Sequence, residues 1–144
     1  MKPSEFLDCL DDKAITDAIA EAESRTSGQI RVYVSERLTD NAQERAKCRF
    51  DKLGMRETRD RNAILLYFAP RIQRFAVVGD SGIHSKCGQP FWEELAAQIQ
   101  ADLRTGKFHE ALLGAIVRCG ELLARHFPRR EDGTNELPNE ILRD

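Results

Sequence analysis

Side chains that can bind a ligand or support catalysis are concentrated in three short segments of this 144-residue sequence. The segments are Thr26-Ser27-Gly28-Gln29, Arg59-Asp60-Arg61-Asn62 and Gly79-Asp80-Ser81-Gly82-Ile83-His84. Carboxylate, amide and backbone carbonyl oxygens are the ligands that hard cations such as Ca²⁺ and Mg²⁺ prefer. The residue types therefore predict a divalent-cation site, Ca²⁺ or Mg²⁺, at Asp60, Asn62 and Asp80. The other candidates for ligand-binding positions in these loops are Gly28, Gln29, Arg59, Arg61, Ser81, Gly82 and His84.

Two other interpretations of the same residues stay open at this point. In one, Asp60 pairs with a neighbouring arginine, while Asp80 and Asn62 cap turns, as Asp and Asn commonly do. In the other, Asp80 or Asp60 takes part in a metal-assisted hydrolysis of phosphate monoesters, and Arg59 or Arg61 holds the phosphate in bidentate fashion. The sequence contains no GxSxG, Walker, HExxH or GxGxxG motif, so no catalytic residue can be named.

The cysteines do not indicate a metal or redox site. Cys9, Cys48, Cys87 and Cys119 form no CxxC pair, and the His84 to Cys87 spacing lacks the second ligand pair that a structural zinc site requires. Four free thiols are typical of a reducing compartment, where a buried Cys acts as a small apolar side chain.

The hydrophobic pattern predicts the elements that position the three loops. Residues 11 to 26 have helical periodicity, and Gly28 is the predicted stop. Residues 29 to 35 alternate as a strand does, and a capping box at Asp40 and Gln43 begins a helix over 40 to 53. The run AILLYFA at 63 to 69 predicts a strand buried on both faces, residues 74 to 79 a hairpin partner, and residues 79 to 88 a loop. Two helices follow, from Pro90 to Gly106 and from Phe108 to Pro128.

This order of elements predicts how the strands are arranged. A strand, helix and strand in one sheet normally form a right-handed crossover with parallel strands, and a hairpin makes the third strand antiparallel. The starts of the first two strands and the end of the third then lie at one edge of the sheet, so that the three loops converge there. Because the central strand is apolar on both sides, helices should cover both faces. The predicted fold class is α/β, a three-layer α/β/α sandwich with a small mixed sheet.

Composition limits the class of protein. A chain of 144 residues, 41% hydrophobic and with a net charge of −2, suits one soluble globular domain rather than a disordered chain. No apolar run reaches the roughly 18 residues of a membrane span, and residues 1 to 10 lack the pattern of a signal peptide. We expect a cytoplasmic protein with a domain over 1–128 and a charged C-terminal tail over 129–144.

Positive charge is concentrated in the middle of the chain. Residues 45 to 74 hold nine Lys or Arg against three Asp or Glu, a net charge of +6, which leaves −8 on the remainder. Such a stretch is usually a solvated face, and without interleaved aromatic residues no nucleic-acid partner is expected. An acidic protein partner is the remaining functional interpretation.

Four segments in the same order resemble the TPM domain family, a group of α/β/α domains found in bacteria, plant thylakoids and some animal membrane proteins. They are AIAEAESRTSGQIRVYV at 18 to 34, RNAILLYFAP at 61 to 70, RFAVVGDSGIHSKCG at 74 to 88, and FWEELAAQIQADLRTGKFHEALLGAI at 91 to 116. The segment FPRREDGTNELPNEI at 127 to 141 resembles the C-terminal segment of members of a soluble bacterial subgroup. The resemblance implies a mixed sheet of mainly four strands, one more than the three found from periodicity.

For function, the resemblance implies divalent-cation binding, an acid phosphatase activity in the plant branch, and accessory roles beside membrane complexes. It locates the binding region at Asp60, Asn62 and Asp80. Many members have Glu where this chain has Gln29 and Gly where it has Ala63, so one potential anionic ligand is missing. The leading expectation is an accessory module that binds a divalent cation or a small ligand. The alternatives are a metal-assisted acid phosphatase and a protein-interaction domain.

Overall fold

Four strands form one mixed sheet within the part of the chain that the computed structural model describes, namely residues 11–36, 38, 41–72, 74–129 and 141–143. The strands are β1 (Gln29–Val34), β2 (Ala63–Ala69), β3 (Arg74–Gly79) and β4 (Leu142–Arg143), and their order across the sheet is β3-β2-β1-β4. The helices are α1 (Asp12–Glu23), α2 (Ala42–Lys52), α3 (Ser81–Cys87), α4 (Gln89–Arg104) and α5 (Phe108–His126). Short 3-10 turns lie at Met55–Glu57 and Pro70–Ile72.

The strand directions confirm the predicted topology. β1 and β2 are parallel, with Gln29 opposite Ala63, and β2 and β3 are antiparallel, with Ile64 opposite Gly79. β4 adds to the outer edge of β1 in parallel. Its two residues are too few for a periodic pattern, which is why periodicity missed this strand and only the family resemblance implied it.

Helices cover both faces of the sheet, as the apolar central strand predicted. On one face, Ile64, Leu66 and Phe68 of β2 join a core to which α1, α4 and α5 contribute. On the other face, Leu65 and Tyr67 pack with Ala42, Ala46 and Phe50 of α2. All seven residues of β2 are buried, so the strand is shielded from water on both sides. The three-layer α/β/α prediction is confirmed.

Two of the predicted helix boundaries differ from the structure. α1 ends at Glu23 rather than near residue 26, because Ser24 closes the last turn with its backbone N–H and hydroxyl. Gly28 is therefore not the helix stop. A Cβ there would lie 2.8 Å from the side chain of Leu123, so glycine at this position permits the close approach of α5. α2 begins after Asn41, whose side chain accepts from Glu44 N at 3.0 Å, and the predicted cap Asp40 lies outside the described residues.

The predicted loop over 79 to 88 was wrong, since residues 81–87 form the helix α3. Asp80 caps this helix by accepting from Ser81 N at 2.7 Å, and Gly88, at φ 73°, ends it. Seven residues with a single buried apolar position, Ile83, are too short and too polar to show helical periodicity.

Cys48, Cys87 and Cys119 are free thiols, as predicted, while Cys9 lies outside the described residues. Cys119 is fully buried in the core between α5 and the sheet, and burial raises the pKa of its thiol to about 12. Among the helices of the described part, none is both long and apolar enough to cross a membrane. Of the predicted tail, residues 130–140 and 144 lie outside the described part, so the boundary at residue 128 stays a prediction.

Candidate functional site

The three loops meet at one edge of the sheet, as the topology predicted, and hydrogen bonds connect them. The hydroxyl of Ser27 donates to Asp60 Oδ2 at 3.4 Å, and Asn62 Nδ2 donates to Ser27 Oγ at 3.2 Å. The third loop is attached through its backbone, because Gly82 N donates to the carbonyl oxygen of Arg61 at 2.9 Å. The region that the sequence singled out is thus one continuous polar network.

Asn62 is the most deeply buried polar residue of this network, with no exposed surface. Its backbone N–H donates to Thr58 Oγ1 at 3.2 Å, and its carbonyl accepts from Gln29 N at 3.3 Å. Its side-chain oxygen Oδ1 is buried and has no hydrogen-bond partner among the described residues. An unpartnered buried acceptor destabilises the folded state by about 1 to 3 kcal/mol, so its presence calls for an explanation.

Asp80 and Arg61 form an ion pair instead of acting separately. Arg61 Nε lies 3.0 Å from Asp80 Oδ2, and Arg61 Nη2 lies 3.4 Å from Oδ1. The Asp80 side chain is 4% exposed and also caps α3 through Ser81 N. Arg61 has a φ of 53°, in the left-handed region that a non-glycine residue rarely adopts. Asp80 therefore joins the second loop to α3, which agrees with the turn-capping interpretation of this residue.

Gly82 permits the close contact between these two loops. A Cβ at this position would lie 2.3 Å from the carbonyl oxygen of Asp60 and 2.6 Å from that of Arg61. Both atoms belong to backbone and cannot rotate away, so a larger residue would push α3 off the second loop. Glycine is required here by space and not by backbone conformation.

A cleft of about 360 Å³ opens beside the network. The lining comes from the first two loops, three residues of α3, the last residue of α5 and the two residues after it. These residues are Ser27, Asp60, Gly82, Ser85, Lys86, His126, Phe127 and Pro128. Lys86 Nζ donates to the carbonyl oxygen of His126 at 3.3 Å and lies 4.7 Å from the centre of the Phe127 ring.

Ser85 and Lys86 were not among the predicted site residues. Their spacing from Gly82 is the i, i+3, i+4 pattern that places residues on one face of a helix. This spacing indicates a shared face only if the segment is a helix, and the sequence predicts a loop there. The contribution of Phe127 and Pro128 had no local signal, because it depends on the path of the chain after α5.

The remaining predicted residues lie around the network and not in the cleft lining. Gln29 is 2% exposed, and its Nε2 donates to the carbonyl oxygen of Ser27 at 3.4 Å. Gly28 N donates to Thr26 Oγ1 at 3.0 Å. His84 packs against Trp92, with ring centres 5.3 Å apart, and Arg59 is exposed.

Glu23 holds the first loop in place through a hydrogen bond to the start of β1. The sequence interpretation did not identify this residue. Its Oε2 accepts from Ile30 N at 2.8 Å, so the residue that ends α1 also holds the start of β1. Its Oε1 is buried and has no hydrogen-bond partner in the described part of the chain. Burial raises the pKa of Glu23 to about 7, against the opposing effects of the Ile30 hydrogen bond and the charge of Arg31. The guanidinium of Arg129 donates to the Glu23 carbonyl at 3.1 Å.

The donor set suits a hard cation better than a transition metal. Across the described residues there is no group of three or more His, Cys, Asp or Glu placed to hold a metal ion. The oxygen donors of the connected network are the carboxylate of Asp60, the hydroxyl of Ser27 and the amide of Asn62. Oxygen-only sets of this kind match the coordination chemistry of Ca²⁺ and Mg²⁺.

Comparison with known proteins agrees with the fold. The family model of the TPM domain matches residues 1–122. Among solved structures, the NMR structure of the BA42 protein from the psychrophilic bacterium Bizionia argentinensis is similar, with a TM-score of 0.87 and 35% sequence identity. The alignment covers 94% of this chain and 96% of that chain. No curated protein matches significantly. The family match and the similar structure together confirm the predicted resemblance: the chain belongs to the TPM domain family.

Proposed function

We propose that the chain is an accessory binding module that takes up a divalent cation, Ca²⁺ or Mg²⁺, between Ser27, Asp60 and Asn62. The observation that carries this proposal is the buried oxygen Asn62 Oδ1, which has no hydrogen-bond partner among the described residues although its amide belongs to the Ser27–Asp60 network. A small ligand with its own oxygen donors would complete the coordination from the cleft.

A bound cation would be a partner for the Asn62 amide oxygen, which has none among the described residues. The amide nitrogen now lies 3.2 Å from Ser27 Oγ. A half-turn of the amide group exchanges its nitrogen and oxygen and brings the oxygen to the side of Ser27 and Asp60. A cation held at the Asp60 carboxylate favours that orientation, because a metal ion attracts oxygen and repels the amide hydrogens.

Asp80 supports the site in this proposal and does not bind the cation. Its carboxylate is engaged by Arg61 and by the N-terminus of α3. A cation beside the Arg61 guanidinium would meet a positive charge. The ion pair instead keeps α3 and Gly82 against the second loop, and thereby positions Asp60.

The affinity follows from the number of charges at the site. With Asp60 as its single carboxylate and Gln29 in place of an acid, the site carries little negative charge. Affinity for Ca²⁺ decreases when a site has fewer anionic ligands. We expect a dissociation constant of about 10⁻⁴ to 10⁻³ M, the range of weak oxygen sites.

An NMR titration with Ca²⁺ and with Mg²⁺ tests the proposal. The backbone amides of Ser27 and Asp60 and the side-chain amide of Asn62 should shift, and Asp60→Asn should remove the shifts while the rest of the spectrum stays unchanged. Asp51→Asn is a matched control, since Asp51 is an exposed acid paired with Arg56 away from the cleft. If millimolar metal moves none of the three signals in the wild type, the proposal is wrong.

The second function, hydrolysis of phosphate monoesters, remains a prediction that no contact favours. It uses Asp80 or Asp60 for the chemistry and Arg59 or Arg61 for the phosphate. Of these residues, Arg61 and Asp80 bind each other. Turnover of a generic phosphate ester with Mg²⁺ present, lost in Asp60→Asn and kept in Asp51→Asn, would revive it.

A further inference from the structure

One edge of the sheet has no pairing strand among the described residues. β3 is the outermost strand, paired with β2 on one side. No described residue forms a strand or a bridge on its other side. At the opposite edge the outermost strand is β4, which has only two residues and pairs with β1.

The register shows which backbone groups point away from β2. Asp80 N donates to the carbonyl of Ala63 at 3.0 Å, and the antiparallel register pairs Val78 with Leu65 and Ala76 with Tyr67. Backbone groups of successive residues point to opposite sides of an antiparallel strand. Because Asp80 points toward β2, the backbone groups of Ala76 and Val78 also point toward β2 and bond to it. The N–H and C=O groups of Phe75, Val77 and Gly79 therefore point outward. Apart from the hydrogen bonds within the sheet, no backbone hydrogen bond between described residues involves the N–H or C=O groups of Phe75, Val77 or Gly79.

β3 has few of the features by which natural proteins protect an edge strand. Protected edges are short, bulged, covered by a helix or loop, or carry Pro or charged side chains, and the charged residue of β3 is Arg74 at its start. β3 is six residues long, pairs with β2 without a bulge, and has the sequence RFAVVG. Phe75 and Val77 are half-buried and face the α4 side of the sheet. Such a strand is a template for the addition of another strand.

The charge around β3 distinguishes between possible partners. Arg74, at the start of β3, is exposed, and α2, which packs against β3, presents the exposed Lys47. Neither cation has an ion-pair partner among the described residues. In a second copy paired antiparallel through β3, both α2 helices would lie on the same face of the joined sheet, so like charges would meet. The positive charge opposes self-association and favours an acidic strand.

We propose that the free edge of β3 binds an extended acidic segment of another protein by strand addition. Backbone groups of that segment pair with Phe75, Val77 and Gly79. Its alternate apolar side chains lie beside Phe75 and Val77, and its carboxylates lie near Arg74 and Lys47. This surface is separate from the cation site and does not depend on it.

Hydrogen exchange in the protein alone tests the open edge first. The amide protons of Phe75, Val77 and Gly79 should exchange quickly at micromolar and at millimolar protein, whereas those of Ala76 and Val78 should be protected. Protection of the outward three in dilute protein would mean that the chain covers its own edge. Protection only at high concentration would mean that a second copy binds there. Either result overturns the proposal.

Two short synthetic peptides then test the partner. Both alternate valine with a charged residue, and one carries glutamate where the other carries lysine. The glutamate peptide should slow exchange at Phe75, Val77 and Gly79, and the lysine peptide should not. If neither peptide slows exchange, or if both do so equally, the proposal is wrong.

Two variants separate strand addition from general charge attraction. Arg74→Glu should weaken binding of the glutamate peptide and strengthen that of the lysine peptide, while the inward amides keep their protection. Val77→Pro removes an outward N–H and no ladder hydrogen bond, so a folded variant should bind neither peptide. If Arg74→Glu leaves the peptide preference unchanged, charge complementarity is refuted even where Val77→Pro fails to fold.

Discussion

The buried carboxyl of Glu23 makes the stability of the protein depend on pH near neutrality. Glu23 is 7% exposed, and its pKa is about 7 in the folded protein against 4.5 in an unconstrained chain. Between these two values the unfolded chain has lost its proton while the folded chain keeps it. Stability contributed by this residue is therefore highest below pH 4.5, falls as the pH rises through the interval, and is lowest above about pH 7.

The size of the effect follows from the change in pKa. At about 1.4 kcal/mol for each pKa unit, a rise from 4.5 to about 7 corresponds to about 3 kcal/mol of lost stability once the folded carboxyl is ionised. Glu23→Gln abolishes this titration and keeps an oxygen that can accept from Ile30 N. We expect the variant and the wild type to be similar at about pH 4, and the variant to be more stable by up to about 3 kcal/mol at about pH 8.

Urea unfolding across this pH range measures the difference. Because only the difference between the two proteins is used, the titration of every other group cancels. The charge of Arg31, on β1, acts on the Glu23 carboxyl, and Arg129, after α5, donates to the Glu23 backbone carbonyl; both arginines keep their charge throughout. Glu21→Gln is the control, since Glu21 lies on the same helix as Glu23, is exposed and pairs with Arg25 after the helix. This variant should change stability by less than about 1 kcal/mol at any pH. A difference between the Glu23 variant and the wild type that does not change with pH would refute the reasoning.

Three further predictions concern single positions. Gly82→Ala should destabilise the protein by about 1 to 3 kcal/mol, because the new Cβ overlaps with backbone oxygens. Gly114→Ala is the control and should be neutral or slightly stabilising, because there is open space around its Cβ. Urea unfolding of both variants measures the difference. Asp80→Ala should lower stability by about 1 to 2 kcal/mol through loss of the α3 cap, and an unchanged unfolding midpoint would contradict that role. Cys119 should resist iodoacetamide in the folded protein and react only after unfolding, because its thiol is buried and its pKa is about 12; mass spectrometry of the labelled peptides checks this, and rapid labelling would contradict it.

The two proposed surfaces are built from different chemistry. The cation site uses side-chain oxygens of loops that converge where two parallel strands start. The free edge of β3 uses backbone groups, with the side chains of Arg74 and Lys47 selecting the charge of the partner. The titration experiment measures the first surface and the exchange experiment measures the second, so each proposal is tested separately.

Much of the fold could be predicted from the sequence, because the signals are local. The central strand at 63 to 69 is apolar on both sides, bounded by Pro70 and followed by a short turn, so its burial between two layers follows directly from the residues. The same local patterns predicted β1, β3 and the parallel and antiparallel pairing, and with them the convergence of the three loops.

The roles of individual side chains in those loops depended on the tertiary structure. Asp60 lies between two arginines in the sequence and Asp80 lies next to none, yet the ion pair with Arg61 forms at Asp80. Only the fold brings Arg61 to Asp80 and Ser27 to Asp60. α3 and β4 were likewise not predicted by periodicity, since the first is short and polar and the second has two residues. The burial of Glu23 depends on Gly120 in α5, which packs on Ala22, and on Arg129, which binds the Glu23 backbone carbonyl. Both residues are far from Glu23 along the chain. Periodicity records which face of an element meets the core, whereas the partner of a given polar atom depends on contacts between distant segments, and those exist only in the folded chain.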